Sequence, residues 1–66
     1  MEELLVHDYV SIHGLTSVRG QKLNGRLGQI ISPAADPSRW RVSVKGEVVA
    51  LKSHNLFLEG RRFPKY

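Results

Sequence analysis

The stretch RWRVSVKGEVVAL, Arg39 to Leu51, decides the fold. Trp40, Val42 and Val44 alternate with Arg39, Arg41 and Ser43, the period of two that puts apolar side chains on one face of a strand. Lys45-Gly46 is a two-residue break of the kind that closes a hairpin, because glycine tolerates the positive φ such turns require. Glu47 to Leu51 then returns as a second strand, with Val49 and Leu51 on the core face.

Working outward, the same alternation recurs. Val10 and Ile12 share one face, and Tyr9, Ser11 and His13 the other, so a first strand runs from Asp8 to near Gly14. Leu15 to Gly25 lacks periodicity and is rich in glycine and small polar residues. It reads as a long loop rather than a helix, with Leu15, Val18 and Leu23 folded back as anchors. Leu27 to Ser32 is a strand centred on Ile30 and Ile31, and Ser32 to Ser38 brackets an aspartate with prolines, which is loop chemistry. Lys52 to Asn55 is too short for an α-helix and suits one 3₁₀ turn before a brief last strand, Leu56 to Leu58. The expected core is Val10, Ile12, Leu23, Ile30, Trp40, Val42, Val44, Val49, Leu51 and Leu56. These elements predict an all-β fold: a small five-stranded barrel, strongly bent and nearly closed, since closure hides the edges that a small open sheet exposes. Residues 1–7 read as a lead-in, 8–58 as the barrel and 59–66 as a basic, flexible tail.

Composition narrows the function classes. A chain of 66 residues holds one domain, and without cysteine it has neither a disulfide nor a thiolate metal site. The net charge of +4 favours acidic partners. No apolar run is long enough to span a bilayer, and the N-terminus is acidic where a secretion signal is basic. The chain therefore reads as an intracellular, cytoplasmic domain, whole or excised from a longer protein.

The residues Leu23-Asn24-Gly25, Gly28 and Ile30, then Arg39-Trp40 and Val42-x-Val44, then Leu51-Lys52 and Asn55-Leu56 resemble an SH3-like module with an LNG..G.V / GR..V.L / vk..NL pattern. The likeness covers Tyr9 to Leu58 and is carried mainly by turn glycines and core positions. The ALYDY-type stretch, acidic first loop and adjacent tryptophans of signalling SH3 domains are absent, so proline-rich peptide binding does not carry over. A more distant resemblance is to KOW-type barrels, which also place a glycine just before an apolar strand residue, as in Gly28-Gln29-Ile30. That family implies RNA or protein binding.

The segment Gly25-Arg26-Leu27-Gly28 is a literal GxxG, the loop by which KH-type domains clamp RNA, but that clamp lies between two helices. Here a loop precedes and a strand follows, so Asn24, Gly25, Gly28 and Gly46 read as structural turn residues, with Gly28 leaving room for a neighbouring backbone at a bend of the barrel. Arg19, Lys22, Arg26, Arg39, Arg41 and Lys45 are the candidate partner contacts, with Arg39 and Arg41 facing solvent together. Arg61, Arg62 and Lys65 add charge in the tail, and Tyr9, Phe57, Phe63 and Tyr66 are the aromatics able to stack on bases. Trp40 reads as core, with a binding hot spot as the alternative. His7, His13 and His54 match no zinc spacing, no cofactor motif is present, and an enzyme is not expected. The expected function is a non-catalytic module that binds a protein through the long first loop, the Pro33–Ser38 loop and the basic Arg39/Arg41 strand face. RNA or DNA binding of KOW-like type is the alternative, and a structural piece of a larger assembly is a third reading. Self-association or strand addition through Leu4 to Val6 is a subsidiary form of the first.

Overall fold

The structure, a computed structural model, describes residues 3–60. Five strands form one antiparallel sheet: β1 (Tyr9–Ile12), β2 (Leu27–Pro33), β3 (Arg39–Val44), β4 (Glu47–Lys52) and β5 (Leu56–Gly60). Their order across the sheet is β4-β3-β2-β1-β5. A 3₁₀ turn, Ser53–Asn55, joins β4 to β5. The expected tail cations and the aromatics Phe63 and Tyr66 lie outside the described residues.

The β3–β4 hairpin is in register from Arg39↔Lys52 to Val44↔Glu47. Lys45 (φ 51°) and Gly46 (φ 81°) both have positive φ, the signature of a type I′ turn, whose twist matches that of the flanking strands. Val10, Ile12, Ile30, Val42, Val44, Leu51 and Leu56 form the buried core. Leu23, Trp40 and Val49 are partly buried and pack against it, as do Leu4 and Leu15.

Gly28 makes the centre of this core. A Cβ there would lie 2.7 Å from Val42 Cγ1, 2.9 Å from the Ser43 carbonyl oxygen and 3.0 Å from Val44 Cγ2. Such distances are not tolerated, so the absent side chain is what lets β3 fold its valines over β2. Gly25 differs: its φ of +82° needs glycine, but nothing lies within 4 Å of the missing Cβ. Two bulges bend the sheet further, leaving Ile31 of β2 opposite no β3 residue and Glu59 of β5 opposite no β1 residue.

Four expectations need correction. The sheet does not close into a barrel: β4 and β5 are its two edges and do not pair. The three-residue 3₁₀ turn is not a hairpin connection, and it delivers β5 to the far side of β1 instead of back along β4. The ends are drawn together by side chains, since Leu51 of β4 and Leu56 of β5 lie in one cluster. Second, the first loop contains one helical turn, α1 (Val18–Gln21), where no helix was expected. Ser17 caps it by accepting a hydrogen bond from the Gly20 amide at 2.9 Å, a local signal with no periodicity behind it. Third, Val18 is 79% exposed and does not fold back on the core, because as the first residue of this turn it lies on the solvent side. The last strand also runs to Gly60, two residues past its expected end, pairing Gly60 with Tyr9.

The two glycines of GRLG should behave differently. Gly28→Ala should cost about 2–3 kcal/mol by overpacking, and Gly25→Ala about 1 kcal/mol by left-handed strain alone. Urea melts of both variants check this, and the order reversed would contradict the packing described. In the hairpin turn, Lys45→Asn should raise the melting temperature, by roughly 0.5 kcal/mol in stability, because asparagine suits the left-handed position better than lysine.

Candidate binding site

The GRLG stretch resolves into a clamp. Asn24 accepts a hydrogen bond from the Leu15 amide and donates one to the Leu15 carbonyl, both at 3.0 Å. Its side chain thus pairs with Leu15 as a neighbouring strand would, tying the two ends of the first loop together. The chain then passes through Gly25, whose amide donates to the Ile12 carbonyl at 2.6 Å, and enters β2. Arg26 is exposed, and its Nε donates to the Lys22 carbonyl at 3.1 Å. No element on either side supplies the two helices of a KH clamp.

The six candidate cations do not converge. Arg19 and Lys22 are on or beside α1, and Arg26 immediately precedes β2. Stepping the register of Gln29↔Ser43 by two residues brings this end of β2 level with Lys45 in the hairpin turn. Arg39 and Arg41 lie toward the other end of β3, with Arg39 six residues from Lys45, about 20 Å along an extended chain. Arg39 is also not simply solvated. Its Nε is 3.6 Å from the Asp36 carboxylate and its Nη1 donates to the Ala50 carbonyl at 3.2 Å. Lys52, absent from the expected set, is the register partner of Arg39. Only the pairing of β3 with β4 places it there.

Asp36 is held in an Asx turn, accepting from the Ser38 amide at 2.9 Å and the Ser38 hydroxyl at 2.8 Å. These two bonds, followed by the nearby charges of Arg39 and Lys52, hold its carboxyl below the ordinary value of 3.8. The turn orients the loop that leads into Trp40.

A groove of about 970 Å³ opens beside that loop. Glu3 and Leu4 of the lead-in, Pro37, half-buried Trp40, Ser53 and His54 of the 3₁₀ turn, and residues 56–58 of β5 line it. Trp40 therefore packs on the core with one side and lines the groove with another. Residues 3–7 of the lead-in form no strand. The His7 amide donates to the Ile30 carbonyl at 2.7 Å, and the buried Asp8 carboxylate accepts from the Leu5 amide at 2.8 Å, beside Leu4, which packs on the core. Pro37 belongs to the 33–38 loop expected among the contacts, whereas Leu4 was not expected in the groove because its partners there are distant in sequence.

On the opposite face of β1, Ser11 is buried although its position reads as the outer face. Its hydroxyl donates to Glu59 Oε2 at 2.6 Å and lies 2.9 Å from His13 Nε2, while the His13 ring stacks on Phe57 at 4.6 Å. With its proton committed to Glu59, the Ser11 oxygen accepts from the imidazole. This is the reverse of the polarity that activates a nucleophilic serine. Among the described residues no group of three or more metal-ligating side chains assembles, and no helix is long and apolar enough to cross a membrane.

No family model, curated protein or solved structure gives a significant match to the chain.

The Asp36 turn has a defined pH response. A carboxyl whose folded value is depressed stabilises the fold above its unfolded value, and that stability is lost as pH falls through the folded value. Followed by NMR, the Ser38 amide should titrate with a midpoint below 3.8. Ser38→Ala, which removes the hydroxyl bond, should move that midpoint up.

Proposed function

We propose that this chain is a non-catalytic protein-binding module on an SH3-like sheet, and that the groove beside Trp40 receives an extended segment of a partner. The strand order β4-β3-β2-β1-β5, with a 3₁₀ turn before the last strand, supports the SH3-like reading. The observation that carries the binding reading is the groove itself. A half-buried tryptophan on β3 lines it, with Pro37 of the 33–38 loop and His54 of the 3₁₀ turn. Buried, well-supported aromatics of this kind are frequent anchors of protein interfaces, and loops on a rigid scaffold are the usual place for them.

Nucleic-acid binding is the second reading, favoured by the net charge of +4 and by Arg19, Lys22, Arg26 and Lys45 at one end of the sheet. The separation of these cations from Arg39 and Arg41 weighs against one continuous phosphate track.

Trp40 is the only tryptophan, so its emission reports the groove directly. Peptides selected by display on the immobilised chain should shift Trp40 fluorescence. His54→Ala, at an exposed position, should weaken them about tenfold without changing the melting temperature. Selected peptides that leave Trp40 and His54 unperturbed would overturn the groove reading. A short RNA whose binding falls steeply with salt and maps to Arg19, Lys22 and Arg26 would favour the second reading instead.

A further inference from the structure

Among the described residues β4 pairs only with β3, and its other edge carries an inference independent of the groove. β4 is an outer strand of the open sheet. Its two-residue turn makes Val44↔Glu47 the closing hydrogen-bonded pair, so the bonded pairs with β3 fall at Val42↔Val49 and Trp40↔Leu51. The N–H and C=O groups of Val48, Ala50 and Lys52 therefore point away from β3, toward the open side. Val48 is 48% exposed and Ala50 is exposed.

Side-chain chemistry along this edge differs between its two faces. On one face lie Val49, partly buried, and Leu51, buried. On the other, Arg39 pairs with Lys52, and Arg41 pairs with Ala50. Ala50 is too small to screen Arg41 from the edge. Arg39 already reaches the edge, its Nη1 donating to the outward Ala50 carbonyl. Asp36 is the carboxylate that this cluster holds at present, 3.6 Å from Arg39 Nε and close enough for Lys52 to act on its charge.

We infer that β4 is a strand-addition site for an acidic, extended segment of another protein. Its carboxylates would alternate with apolar residues. Main-chain bonds to Val48 and Ala50 supply the pairing, the carboxylates meet Arg39, Arg41 and Lys52, and the apolar residues lie beside Val49 and Leu51. A second copy of this chain is the poorer occupant. Antiparallel pairing about Ala50 brings two sets of three outer-face cations together with no β4 acid on that face. Arg39 shares the Ala50 carbonyl or swings from it as the strand docks.

The test is an NMR titration of the whole chain with a capped heptapeptide of alternating glutamate and valine, against the same peptide with lysine for glutamate. The glutamate peptide should shift the Val48 and Ala50 amides and slow their hydrogen exchange. Arg41→Glu with Lys52→Glu, both at exposed positions, should weaken it at least about tenfold. Val48→Pro removes an outward donor that makes no bond to β3, and should abolish binding with the β3–β4 pairing intact. The charge-reversed variant keeps the test decisive if that proline impairs folding. Equal binding of the lysine peptide, shifts confined to Trp40 and His54, no shift at all, or a concentration-dependent dimer paired through β4 would each overturn the inference.

Discussion

The approach of β3 to Gly28 is the constraint from which the rest of the domain follows. With no Cβ at that position, Val42 and Val44 close over β2 and meet Val10, Ile12 and Ile30 in one small cluster. A domain this small has little other apolar surface to bury, so the quality of that one contact weighs heavily in its stability. The same approach bends the sheet sharply at β2, where the Ile31 bulge adds to the bend. The bend brings Leu51 and Leu56, from opposite edges, into one core without a backbone ladder between them.

That open seam shapes both candidate surfaces. Because β4 and β5 are joined through a 3₁₀ turn instead of pairing, the groove beside Trp40 forms where the turn, the 33–38 loop and the lead-in meet. Because β4 remains an edge, its outward backbone groups stay available on a face carrying Arg41 and Lys52. An edge of this kind is a hazard for a soluble protein, and charge along it is a common protection. The cations at this edge, Arg39, Arg41 and Lys52, are the ones that the proposed acidic strand would meet. The Ser11, His13 and Glu59 network on β1 and β5 is a structural counterpart: it satisfies a buried hydroxyl and braces the last strand through the Phe57 stack.

Much of this was legible in the residues. The alternation of Trp40, Val42 and Val44 and the Lys45-Gly46 break defined the β3–β4 hairpin except for its last pair, Arg39↔Lys52, since the return strand read as ending at Leu51. Gly28 read as a close-approach position and Gly25 as a turn, which the Cβ distances and the positive φ distinguish in those terms. The helical turn of α1 was not legible, because a single turn held by one Ser17 cap leaves no periodic signal. Nor was the burial of Ser11 or Asp8: alternation assigns a face, but burial of a polar side chain depends on partners such as Glu59, 48 residues away.

Local sequence by itself determined where strands begin, which face of each carries apolar side chains, and which turns demand glycine. Those properties follow from backbone sterics and the two-residue period, and both act over a few neighbouring positions. Tertiary structure alone decided that the sheet stays open, that six cations divide between its two ends, that Lys52 stands beside Arg39, and that Trp40 shares a groove with Leu4 and His54. These depend on register and on packing between distant segments. Gly28 bears on one of these contacts, the approach of Val42 and Val44 to β2, and the others rest on pairings between segments far apart in the chain.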